Sequence, residues 1–101
     1  MPAEIEITVL AEKDLDNIWD YIAADKPPAA DRLIDHIEGA IEMLARHPLL
    51  GKPRPELWPD VRSFSVGEYL VFYFALPRKI VVARVLSGHR DLDALFDDRP
   101  L

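Results

Sequence analysis

Arginine is the residue type that offers this sequence most of its chemistry. Between positions 52 and 90 stand seven cations, Lys52, Arg54, Arg62, Arg78, Lys79, Arg84 and Arg90, against three carboxylates, Glu56, Asp60 and Glu68. A planar guanidinium with several N–H donors suits the recognition of phosphate or carboxylate. Arg62 lies on an alternating segment and shares one side with Phe64 and Val66. Arg84 interrupts the apolar run IVVARVL, where an unpaired charge is expensive. It either pairs with an acidic group from a helix or faces a groove that receives an anionic partner. Arg90 follows Gly88-His89 and precedes Asp91, with which it can pair. That is also a strand end, where loops commonly carry function.

Other constellations are missing. The chain has no GxSxG, P-loop, GxGxxG or HExxH pattern. His36, His47 and His89 are scattered over a helix, a helix end and a loop, which is not metal-ligand spacing. Ser63, Ser65 and Ser87 have no neighbouring base in sequence, and the helical carboxylates read as solvated faces. No metal or cofactor is expected. Among the large rings, Trp58, between Leu57 and Pro59, is the one expected to stay exposed, where an aromatic side chain anchors partners.

The elements that must position these residues follow from periodicity. Ile5, Ile7 and Val9 alternate with Glu4, Glu6 and Thr8, which predicts a half-buried strand. From Ala11 the spacing becomes helical, with Leu15, Ile18 and Ile22 inward and Glu12, Asp14, Asp16 and Asp20 on the outer face. Pro27-Pro28 ends this helix and suits the first turn of a second, built on Leu33, Ile37, Ala40, Ile41 and Leu44. That helix should end near His47, before Pro48, and pack as an antiparallel hairpin with the first. A proline-rich but apolar-anchored loop occupies 48–60, and strands are expected over 61–66, 69–75 and 80–87. The central one, YLVFYFA, is apolar on both faces, as a strand covered on both sides should be. Asp91 then caps a short helix through Phe96. The expectation is one α+β domain over 1–101: a strand, a helical hairpin, a three-stranded antiparallel sheet and a C-terminal helix.

Composition narrows the class. The 101 residues are half hydrophobic and 30% charged, an ordinary globular mixture. The longest apolar run, 69–76, is too short to span a bilayer, and the first residues lack the basic and apolar regions of a secretory signal. With no cysteine, disulfides and thiolate chemistry are excluded, and a cytoplasmic setting is expected. The net charge of -6 argues against generic nucleic-acid binding. It is unevenly placed, however. Residues 1–47 hold 4 basic and 11 acidic side chains, whereas 48–101 hold 8 and 7.

Several segments together carry a family resemblance. Asp14-Leu15, Ile18 and Tyr21-Ile22-Ala23, then Pro28-Ala29-Ala30 and Arg32-Leu33-Ile34, resemble the helical hairpin of the RelE/ParE superfamily of toxin–antitoxin toxins. So do His47-Pro48, Gly51, Arg54-Pro55-Glu56-Leu57, Val61-Arg62-Ser63-Phe64, Val66-Gly67 and Tyr69-Leu70-Val71-Phe72-Tyr73. The run from Arg84 through Gly88-His89-Arg90-Asp91-Leu92 to Leu95-Phe96 closes the match. It covers roughly residues 4–96 and is nearest the ParE branch.

The two branches imply different activities. RelE-type members are ribosome-dependent mRNA endonucleases that set basic residues and a tyrosine on one sheet face. Arg62 and Arg90 match two of those basic positions, and His89 is a candidate to assist them. The arginine of the RelE motif falls on Leu70, however, and the late tyrosine on Phe96. Losing an electrostatic stabiliser costs about 10²–10³ in rate, and losing an acid/base group about 10²–10⁴. ParE-type toxins instead poison DNA gyrase by binding and are neutralised by an antitoxin, expected here to be of the ribbon-helix-helix type, in a hetero-oligomer. By that resemblance the toxicity surface comprises Arg62, Arg84, His89, Arg90 and Phe96. The antitoxin's tail would meet Trp19, Ile22, Leu33, Ile37, Trp58, Phe72 and Phe74. Leu33 and Ile37 also read as core. A membrane partner and sequence-specific nucleic-acid binding are not expected. Two alternatives to the gyrase reading are a RelE-like endoribonuclease and a non-toxic binding partner of the antitoxin.

Overall fold

Thr8 makes the first change of direction. In the structure, a computed structural model that describes residues 1–88, the strand β1 (Glu4–Ile7) runs into Thr8, the N-cap of helix α1 (Val9–Ala23). The Thr8 hydroxyl oxygen accepts from the Ala11 N–H at 3.1 Å and donates to the Ala83 carbonyl at 2.8 Å. One side chain therefore caps the helix and ties it to the sheet. Thr8→Ala is expected to lower stability by about 1–2 kcal/mol, read as a reduced urea midpoint at unchanged slope.

Helix α1 closes where Lys26 N–H donates to the Ile22 carbonyl at 2.8 Å. Pro27 and Pro28 then occupy the first positions of α2 (Pro27–Arg46), where a missing N–H costs nothing. His47 is the C-cap, its N–H donating to the Met43 carbonyl, and Pro48 lies just beyond. The helical hairpin is as expected. Helix α1, however, begins at Val9, two residues earlier than the spacing suggested, because Thr8 supplies the cap.

The remaining strands are β2 (Lys52–Pro53), β3 (Val61–Val66), β4 (Tyr69–Leu76) and β5 (Lys79–Ser87). They join β1 in one five-stranded sheet of order β1-β5-β4-β3-β2. Strands β2 to β5 pair antiparallel, whereas β1 pairs parallel with β5, from Glu4 opposite Lys79 to Ile7 opposite Val82. The α+β class stands, but two sheet features were not legible. The loop contributes β2, a two-residue edge strand whose proline is tolerated because an edge leaves its missing N–H outward. The parallel docking of β1 depends on the helices returning the chain to the far edge.

Alternation along β4 divides the core. Val71 and Tyr73 face the helices and pack with Ile80, Val82, Val85, Ile18, Ile37 and Leu44. Phe72 and Phe74 face the other way, with Val61, Val81, Ala83 and Leu86, and Leu57 and Trp58 of the loop pack against them. From Val71 to Phe74 both faces of β4 are therefore buried, which is why that stretch is apolar on both sides. A bulge leaves Ala83 as the extra residue, since Phe72 pairs with Arg84 and Tyr73 with Val82. The expected helix over 91–96 lies outside the described residues.

Candidate functional site

Arg84 resolves into the first of its two readings. Its Nε donates to Asp14 Oδ2 at 2.8 Å and its Nη2 to Asp14 Oδ1 at 2.9 Å, a two-pronged pair. Asp14 Oδ2 also accepts from the Val85 N–H at 2.9 Å. The side chains are only 15% and 10% exposed, and the pairing pushes the Arg84 pKa up. Asp14 thus corrects the expectation that it faces outward from α1. Strand β1 stops pairing with β5 at Val82, and the Asp14 carboxylate takes up a β5 backbone N–H just past that point. Arg84 is committed to α1 and is not a free cation for a target.

Arg62 is likewise engaged. Its Nη1 donates to the carbonyls of Gly51 at 2.7 Å and Leu49 at 3.2 Å. Opposite it in the sheet, the Tyr73 hydroxyl donates to the Pro48 carbonyl at 2.7 Å and accepts from the Gly51 N–H at 2.8 Å. Four hydrogen bonds thereby fasten the 48–51 segment onto the sheet. Burial raises the Tyr73 pKa, opposed by the Gly51 N–H and the Arg62 charge. Sequence reasoning passed over Tyr73 because the apolar run around it reads as core, and only the hydroxyl distinguishes it from its neighbours. Leu70, where the RelE pattern carries a cation, packs on the second core.

The residues expected to meet an antitoxin separate by burial. Trp19 is 39% exposed and donates from Nε1 to Asp31 Oδ1 at 2.8 Å across the hairpin. Ile22, Leu33 and Trp58 are half-buried. Ile37 and Phe72 are fully enclosed and Phe74 is 6% exposed, so these three are core rather than contact surface. The physical reason is that the middle of β4 is packed on both faces, by the helices on one side and by Val61, Val81, Ala83, Leu57 and Trp58 on the other. A residue missed earlier is Tyr21, 80% exposed. It lines a cleft of about 570 Å³ between α1 and the ends of β4 and β5, with Asp14, Asn17, Ile18 and Tyr69. Asn17 and Tyr21 stand four residues apart, the spacing that puts them on one flank of α1.

His36 and His47 are both exposed. Among the described residues no group of three or more His, Asp or Glu lies close enough to hold a metal ion. Among them too, no helix is long and apolar enough to cross a membrane. His89, Arg90 and Phe96 lie outside the described residues.

Comparison with known proteins completes the picture. The profile of the family described as ParE toxin of type II toxin-antitoxin system, parDE, matches residues 5–92. Toxin ParE3 of Caulobacter vibrioides is 32% identical over 82 residues, covering 80% of this chain and 82% of that one. Toxin RelE3 of the same organism is also 32% identical over 82 residues, covering 80% and 89%. Among solved structures, the chromosomal ParDE system of P. aeruginosa superposes with a TM-score of 0.72 at 23% identity, covering 84% of this chain and 95% of that one. The RelBE2 toxin–antitoxin complex of Mycobacterium tuberculosis superposes with a TM-score of 0.64 at 24% identity, covering 86% and 99%. These last two share the fold. With the family profile matching residues 5–92, most of its length, the chain belongs to the ParE toxin family of type II toxin–antitoxin systems.

Proposed function

We propose that this protein arrests growth by binding DNA gyrase, without hydrolytic chemistry of its own, and that a cognate ribbon-helix-helix antitoxin neutralises it in a cytoplasmic hetero-oligomer. The observation that carries this reading is the state of the arginines. Arg62 and Arg84, two of the cations a nuclease or an anion-binding site would use, are spent on the 48–51 loop and on Asp14. Leu70 brings an alkyl group where the RelE pattern brings a guanidinium. A scissile phosphate would meet too few preorganised donors for efficient cleavage.

The antitoxin's amphipathic tail is assigned to the flanks of the helical hairpin. Trp19, Ile22 and Leu33 remain reachable there, and Tyr21 lines the cleft beside β5. Arg90, with His89 and Phe96, is assigned to the target surface. Arg90→Ala is expected to relieve growth arrest while antitoxin binding and the melting temperature stay unchanged. Unaltered growth arrest would remove Arg90 from that surface.

The test of the whole reading is direct. Purified chain added to gyrase should inhibit supercoiling and accumulate cleaved DNA, and added to translating ribosomes should leave mRNA intact. The similarity to toxin RelE3 makes the opposite outcome meaningful. Untouched gyrase with ribosome-bound mRNA cut would establish the endonuclease reading, with Arg62, His89 and Arg90 as its first residues to mutate.

A further inference from the structure

Arg78 is held in a backbone conformation that its side chain makes costly. It follows Pro77 in the two-residue turn between β4 and β5, where Leu76 pairs with Lys79, and its φ is 64°. Glycine or asparagine is the usual occupant of that turn position. The turn's work inside the molecule is done by the Arg78 carbonyl, which accepts from the Glu4 N–H at 2.8 Å and anchors β1. A glycine would do this equally well. The guanidinium is exposed and forms no ion pair among the described residues. A strained position that retains an unused charge points outward, to something the charge meets.

The surroundings show what that is. Arg46, in the last turn of α2, is also exposed and without an ion-pair partner among the described residues. Arg46, Arg78, Pro48 and Leu76 line one groove of about 710 Å³, with Glu4 its one carboxylate. Leu76 is also a wall of a second groove, of about 440 Å³, shared with Leu49, Arg62 and Asp60. Leu49, Leu50 and Leu76 are 71%, 51% and 46% exposed. This pole therefore combines three open leucines with two guanidinium groups, Arg46 and Arg78, that have no ion-pair partner among the described residues. The outer faces of the helices, by contrast, carry exposed Glu12, Asp16, Asp20, Asp31, Asp35, Glu38 and Glu42. An acidic partner is repelled there and drawn to this pole.

We infer that the pole formed by the end of α2, the 48–50 segment and the β4–β5 turn docks an acidic amphipathic segment of another protein. Its leucine or phenylalanine side chains cover Leu49, Leu50 and Leu76, and its carboxylates meet Arg46 and Arg78. A nucleic acid is a poorer fit, because bases stack on exposed rings and the one ring lining either groove is buried Phe74. The pole is distinct from the cleft beside Tyr21. Strand β4 begins at Tyr69 in that cleft and ends at Leu76 here, roughly 23 Å apart at about 3.3 Å per residue. The inference does not rest on gyrase being the target.

The test uses three labelled peptides that share one leucine and phenylalanine pattern but carry carboxylates, balanced charges or ammonium groups. Anisotropy with the purified chain should rank the acidic peptide tightest, with affinity falling as salt rises. Amide NMR shifts should fall at residues 45–50 and 75–79. Arg78→Gly should weaken the acidic peptide about two- to five-fold without lowering the melting temperature. Leu76→Thr should weaken all three by about three- to ten-fold. Equal affinities for the three peptides, or shifts confined to α1, would overturn the inference. So would loss of binding in Arg78→Gly only in step with lost stability. An oligonucleotide that binds the same amides more tightly than the acidic peptide would replace it with a nucleic-acid site.

Discussion

Arg84→Ala is expected to lower the unfolding free energy by about 2–4 kcal/mol, enough to remove much of the stability of a domain this size. The reason is the partner left behind. Asp14 is 10% exposed in its side chain, and without the guanidinium its carboxylate keeps only the Val85 N–H and whatever water reaches it. Asp14→Ala should cost a similar amount, because it strands both the Arg84 charge and a strand-edge N–H. The double variant should cost clearly less than the two single losses combined, since the penalty belongs to the unpaired charge. Arg84→Lys should fall between, keeping the charge but not the two-pronged geometry. Urea denaturation of the four proteins measures this. Growth arrest should decline across the series only as stability does; loss of toxicity in a stable Arg84 variant would return Arg84 to the target surface. No pH dependence from this arginine arises at neutral pH. The hydrogen bonds to Asp14 push its pKa still further above the ordinary arginine value, so its contribution is fully present at every pH below that range.

The second large effect centres on Tyr73. Tyr73→Phe should cost about 1–3 kcal/mol by leaving the Pro48 carbonyl and the Gly51 N–H without their partner. Gly51→Ala should cost about as much from the other side. A Cβ at Gly51 would lie 2.5 Å from the Tyr73 hydroxyl oxygen and 2.6 Å from Cε1, and a fully buried ring cannot swing clear. Because the two changes act on one contact, their combined cost should be less than additive. The phenol also predicts an alkaline limit. Burial holds its folded pKa above the ordinary 10.0, so the unfolded chain loses the proton first. Stability from this group is therefore complete below pH 10 and declines as pH rises through the folded value. Stability measured between pH 8 and pH 11 should fall more steeply for the native chain than for Tyr73→Phe. Equal slopes would mean the hydroxyl is not held as described.

Element order was legible in the residues because local periodicity is strong here. Leu15, Ile18 and Ile22 recur at helical spacing, Pro27-Pro28 and Pro48 punctuate the helices, and residues 61–66 alternate. The site was less legible, for a specific reason. Asp14 matches its acidic neighbours Glu12 and Asp16 in type, and its inward position depends on where β1 ends. The same holds for Phe72 and Phe74. Their sequence allows either an open aromatic groove or a second core, and the packing of Leu57 and Trp58 against that face decides for the core.

The sequence by itself determined the class of fold, the helical hairpin, the strands from 61 onward and the polarity of charge, all set by contacts within a few residues. It also carried the family, through short motifs in a fixed order. Tertiary structure alone decided which arginines are free. Arg84 meets a carboxylate 70 positions away, Arg62 meets carbonyls 11 and 13 positions away, and Arg78 meets neither. A charge is available to a partner only when no group folded beside it satisfies it first, and that depends on distances in space which sequence spacing does not record.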